Sequence, residues 1–179
     1  MRKKILWMTE TAVMLALLIT LQWATKAGGQ WLTGSCVNGV LAITVLMVGL
    51  PGGLTVALLS PIFAFMFNIA PNPVTVPVIM LGNSVFVILL HFCCKGKWIQ
   101  KICGLLAAAI AKFAVLYSLV NWVICGVAAD ALLAQKLLKQ PMLLALPASF
   151  GFMQLFTALI GGSLALLIVP VLRKALKKY

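Results

Sequence analysis

Long apolar runs alternate with short polar interruptions along the whole chain. A helix needs about 20 apolar residues to cross the hydrocarbon of a bilayer. By that measure the pattern predicts six spans: Ile5–Thr25, Ser35–Leu50, Leu54–Ile69, Val78–Cys94, Ile102–Ala129 and Pro141–Leu172. Lys26–Gly34 (KAGGQWLTG) and Ala70–Pro77 (APNPVTVP) read as loops at one end. The three prolines of the second loop cannot continue a helix and make it stiff. Pro51-Gly52-Gly53 predicts a tight turn at the other end, and Lys95–Lys101 (KGKWIQK) a basic loop. Asp130–Gln140 predicts a short interfacial helix, and Pro147 is tolerated in the first turns of the last span. The predicted fold class is an all-α integral membrane protein, one domain of six transmembrane helices over residues 1–179.

Composition agrees with lipid as the main solvent. Apolar residues are 64% of the chain and charged residues 9%, against about 45–50% and about 25% in soluble domains. Charge then sets the topology. Of 14 Lys and Arg, ten sit at the ends predicted to face inward: Arg2, Lys3, Lys4, Lys95, Lys97, Lys101, Arg173, Lys174, Lys177 and Lys178. Three sit in the opposite loops, Lys26, Lys136 and Lys139, and Lys112 lies inside the fifth span. The positive-inside rule therefore places both termini in the cytoplasm. The net charge of +12 reflects this sorting and anionic lipid headgroups rather than a nucleic-acid partner. Met1–Lys4 resembles the start of a signal peptide, but Glu10 interrupts the apolar run and no small-x-small cleavage site follows, so the first segment reads as a retained span.

Catalytic chemistry finds no foothold. The two carboxylates, Glu10 and Asp130, are predicted on opposite sides of the membrane and cannot form an acid/base pair. There is no P-loop, no inverted repeat and no chain of buried carboxylates for proton coupling. Five cysteines and one histidine, His91, lack the spacing of a metal site. The reading calls for no enzyme activity, no metal and no cofactor.

Polar groups within the spans are the candidates for function, because an amide or a cation in lipid is costly unless it is paired. Lys112 lies about 15 Å along its helix, near mid-bilayer. It serves either as counter-ion to an anionic ligand group or as a structural donor to a carbonyl, Asn or Gln. Tyr117 and Asn121 share one face further along. Asn121 is about 180° around an ideal helix from Lys112, so the two cannot both point at one small ligand without distortion. Asn83 in the fourth span and Gln154 in the sixth add two more amides. Each is either helix–helix glue or part of a shared site. The outer loops carry Trp31 and, near them, Asn38, which points to a pocket opening outward. On the first span, Ala12 and Ala16 stand one turn apart, where small side chains let another helix approach. Packing within the bundle would use the same pair.

The chain resembles the substrate-binding S-components of energy-coupling factor (ECF) vitamin transporters. The likeness rests on the Ala12-x-x-x-Ala16 pair and on the stretches Thr33–Asn38 (TGSCVN), Ser60–Phe65 (SPIFAF) and Leu81–Asn83 (LGN). Length, span count and basic inner ends agree along nearly the whole chain. The resemblance implies a multi-pass protein of the bacterial plasma membrane that captures a vitamin or related micronutrient from outside. It would dock through its first span onto a transmembrane coupling protein driven by two ATPase subunits, and topple to deliver its ligand inward. Ligands in that family are held by outer loops and spans 4 to 6. With Lys112, this makes a carboxylate-bearing ligand such as pantothenate the expectation. A stand-alone secondary transporter or channel, and a ligand-free membrane assembly protein, remain the alternatives.

Overall fold

The computed structural model describes the backbone of residues 2–70 and 72–176, and the side chains of 4–70 and 72–176. Pro71, Lys177 and Lys178, and the side chains of Arg2 and Lys3, which enter the loop and charge readings above, lie outside the described residues. Eight α-helices carry the fold: α1 (Arg2–Thr25), α2 (Gly29–Met47), α3 (Leu50–Met66), α4 (Thr75–Cys93), α5 (Trp98–Ser118), α6 (Ala129–Ala134), α7 (Gln140–Ser149) and α8 (Phe152–Ala175). No strand occurs among the described residues. Four helical stretches are long and apolar enough to cross a membrane: Lys4–Met47, Thr75–Cys93, Trp98–Val127 and Phe152–Ala175. The first contains both α1 and α2, which pack on each other, and α3 is a shorter apolar helix of 17 residues.

Several boundaries differ from the sequence reading, each for a local reason. A 3₁₀ turn at Lys26–Gly28 and a left-handed Gly29 (φ +74°) reverse the chain directly into α2. The second helix therefore begins at Gly29 rather than Ser35, and most of the expected loop is helical. The expected turn at Pro51-Gly52-Gly53 is the first turn of α3. Proline suits that position because the first N–H groups of a helix have no partner to lose. The chain reverses just before it, at Gly49 (φ +100°). After Ser118, α5 widens into a π-helical segment, Leu119–Val127, followed by the six-residue α6. The last apolar run is two helices, α7 and α8. Gly151 (φ −84°, ψ −137°) breaks the run, and a Cβ there would sit 2.8 Å from the Pro147 carbonyl oxygen.

The centre of the bundle is α2, which packs on α1, α3, α4 and α8. Leu41 (α2), Val56 (α3), Phe86 (α4), Ala108 (α5) and Ala158 (α8) form its buried heart. The closest approach is α2 against α8. A Cβ on Gly161 would meet the Ser35 carbonyl oxygen and lie 2.6 Å from the Gly39 nitrogen. Gly34 faces Thr157 and Gly39 faces Gly161, so the two helices run parallel. Small residues permit such contact in lipid, where packing rather than hydrophobicity drives helices together.

The bundle has two chemically different ends. At one, Lys101, Arg173 and Lys174 surround a cavity of about 490 Å³. There Arg173 Nη2 donates to the Leu46 carbonyl oxygen (2.6 Å), capping the end of α2. At the other end the α1–α2 turn, the loop after α3 and the α7–α8 break come together. Lys26 Nζ donates to the Phe67 carbonyl oxygen (2.9 Å), and Gln30 Nε2 to that of Ser149 (2.6 Å). Asn72 Nδ2 donates to the Leu137 carbonyl oxygen (2.5 Å) while its Oδ1 accepts from the Val74 N–H (2.9 Å).

Candidate functional site

A cavity of about 440 Å³ opens at this second end. Its walls come from every helix except α6, and the loop after α3 contributes to its rim. Lys112 lies in the wall, 2% exposed. Its Nζ donates to Asn38 Oδ1 (2.6 Å) on α2 and to Asn83 Oδ1 (2.7 Å) on α4. The Phe86 ring centroid lies 5.4 Å from the same nitrogen. A lysine has only donors, so each amide must turn its oxygen towards the ammonium. The remaining ends of the two amides then differ. Asn38 Nδ2 donates to Thr157 Oγ1 (3.3 Å) on α8. Asn83 Nδ2 is buried and has no partner.

Two more buried atoms without partners belong to residues of the same wall: Gln22 Oε1 on α1 and Ser60 Oγ on α3. Ser60 is the more telling. Thr11, Thr44 and Ser84 each satisfy their hydroxyl on the carbonyl four residues back. Ser60, fully buried, does not. Buried polar groups in native proteins are nearly always paired, and leaving one unpaired costs about 1–3 kcal/mol. Only one other side-chain atom of this kind, Trp7 Nε1, occurs among the described residues, and Trp7 does not line this cavity. Three of the four such atoms therefore belong to residues of one wall.

The candidate residues divide clearly. Asn38, Asn83, Lys112 and Gln154 line the cavity. Gln154 stands near the mouth, its Nε2 donating to the Ser149 carbonyl oxygen (3.4 Å). Trp31, Tyr117 and Asn121 do not line it. Trp31 is exposed and packs on Phe156 across the outside of α8 (centroids 6.0 Å). Tyr117 is exposed and lies against Phe113 (5.6 Å). Asn121, in the π-helical segment, closes onto the Tyr117 carbonyl oxygen (2.9 Å). The opposition of Lys112 and Asn121 around their helix thus ends with only the lysine in the wall. Ala12 and Ala16 are both exposed on α1, so neither is spent on packing inside the bundle. Thr20 and Ala24, also exposed, continue their row at the same spacing.

Gln22 and Ser60 are wall residues that the sequence reading passes over as functional groups. The signal for Gln22 was present: an amide within an apolar helix, costly unless paired. Among the described residues, no group of three or more His, Cys, Asp or Glu side chains converges as a metal site would require.

No family model matches the chain, and no curated protein or solved structure matches it at a meaningful level.

Proposed function

We propose that the chain is the ligand-binding S-component of an ECF-type transporter in a bacterial plasma membrane. In this reading it crosses the membrane six times with both termini cytoplasmic. The 440 Å³ cavity opens outward and captures a vitamin or related micronutrient. The exposed row of Ala12 and Ala16 docks on a transmembrane coupling protein, and two ATPase subunits supply the energy that this chain has no motif to harvest.

The observation that carries the reading is the gathering of Gln22 Oε1, Ser60 Oγ and Asn83 Nδ2, all buried and unpaired, around one cavity. An assembly protein held together by polar glue would have paired them. A cavity of this size suits a small molecule, since ligand pockets run about 300–1,000 Å³. The charge pattern supports the orientation: the basic end, with Lys101, Arg173 and Lys174, is the end that positive-inside sorting keeps in the cytoplasm. The exposure of Ala12 and Ala16 supports docking, because small residues on a lipid-facing helix let a second helix approach.

Affinity purification of the tagged chain from its own host membranes tests the assembly. The expected result is recovery of a membrane coupling protein together with ATPase subunits. A chain that purifies alone under mild detergent, with and without chemical cross-linking, contradicts it.

A further inference from the structure

We infer that the cavity selects a carboxylate whose body carries a hydrogen-bond donor, and that it rejects cations. This rests on the reading of the cavity as a ligand site and goes on to name the chemistry of its occupant.

The first support is an unbalanced charge. The Lys112 ammonium has three N–H groups. Two are given to Asn38 Oδ1 and Asn83 Oδ1, both neutral, and the Phe86 face adds a weak attraction. Neither carboxylate among the side chains, Glu10 or Asp130, lines the cavity. A buried cation held only by amides is poor glue, because its desolvation costs more than such bonds return. An apolar side chain of similar length would pack there without that cost. A ligand anion supplies the missing counter-charge.

The second support is the placing of donors. Asn83 gives its oxygen to Lys112, so its free Nδ2–H lies on the same amide, next to the ammonium. One spare ammonium N–H and one amide N–H side by side match the two oxygens of a carboxylate, and charge-assisted bonds of this kind are the strong ones.

The third support comes from the α1 and α3 wall. Gln22 Oε1 is an acceptor without a donor, and Ser60 Oγ has no partner. A ligand O–H or N–H satisfies them. The wall thus offers donors beside α4 and α5 and, beside α1 and α3, an amide oxygen and a hydroxyl without partners. Lys26 also lines the cavity near its mouth, so both charged residues of the wall are cationic. An amine entering meets like charge and no carboxylate.

The test uses the full chain in detergent and compounds in matched sets of three. Each set shares one vitamin-sized skeleton bearing a hydroxyl or amide group. Its members end in a carboxylate, the primary amide or a primary amine. Dissociation constants are measured on wild type and on Lys112→Met. The expected result is that carboxylates bind, that their amides bind at least about tenfold more weakly, and that amines do not bind. Lys112→Met should lose the preference for acid over amide, with the acid losing far more affinity than its amide. An amide or amine binding as tightly as its acid overturns the inference and leaves ligand capture standing. An unaltered acid affinity in a folded Lys112→Met protein also overturns it. If that variant fails to fold, the acid–amide comparison on wild type decides alone. No binding by any member of any set sinks this inference and the capture reading together.

Discussion

Gly161→Ala is a one-carbon change that should reach the cavity around Lys112 through α2. A methyl group at Gly161 would lie 2.6 Å from the Gly39 nitrogen and 3.0 Å from Asn38 Cβ, and would collide with the Ser35 carbonyl oxygen. Two of these neighbours are backbone atoms and cannot swing away, so α2 and α8 must separate by roughly 1 Å, an overpacking that costs about 1–3 kcal/mol. Asn38 sits on the displaced stretch of α2, and its bond to Lys112 is only 2.6 Å long. The same displacement would take that bond past good geometry, and a hydrogen bond to a charged group is worth about 1.5–3 kcal/mol. Thermal unfolding in detergent should show a clearly lowered Tm for Gly161→Ala, and ligand affinity should fall with it. Ser163→Ala, an exposed position on the same helix, is the control and should leave both unchanged. A Gly161→Ala protein matching that control in Tm and affinity would refute the claim that backbone contact between α2 and α8 sets the position of Asn38.

Ala12→Leu or Ala16→Leu should abolish co-purification with a coupling protein while leaving ligand affinity unchanged, because both residues are exposed and added bulk blocks helix approach; intact assembly in both variants would remove α1 as the docking face. Ser60→Ala should leave the ligand-free protein as stable or more stable by about 1 kcal/mol, since an unpaired buried hydroxyl is a cost, yet weaken ligand binding several-fold. A marked loss of ligand-free stability would show that the hydroxyl already serves the fold. In intact cells, a membrane-impermeant maleimide should label Lys26→Cys in a cysteine-free background, and should label Lys97→Cys only after permeabilisation; the reverse pattern would invert the proposed orientation.

Lys112, Asn83 and Gln154 are legible in the sequence for one physical reason, and Asn38 for its place near an outer loop. A polar atom in an apolar helix must be paired or must face a polar space, and all four are in the cavity wall. Gln22 carries the same signal on α1. However, a helix apolar almost all round does not show in one dimension which side faces inward. Trp31 stands out in the sequence for its place in an outer loop, and Tyr117 for the face it shares with Asn121. Neither signal says which side of the helix faces inward, and both residues lie on the outer surface. The α7–α8 break is hidden in the sequence because the apolar run continues across it. It appears only when Gly151 is seen against the Pro147 carbonyl oxygen. The Pro51-Gly52-Gly53 stretch shows the opposite failure, since proline and glycine punctuate turns and helix starts alike.

The central claim is that this chain holds a small molecule in the cavity around Lys112. Native mass spectrometry of the detergent-purified protein, followed by extraction and identification of what it carries, tests it most directly. The expected result is one small vitamin-like molecule per chain, bearing a carboxylate and lost from Lys112→Met. A wild-type protein that is empty as purified, and still empty after incubation with a panel of vitamins, would contradict it.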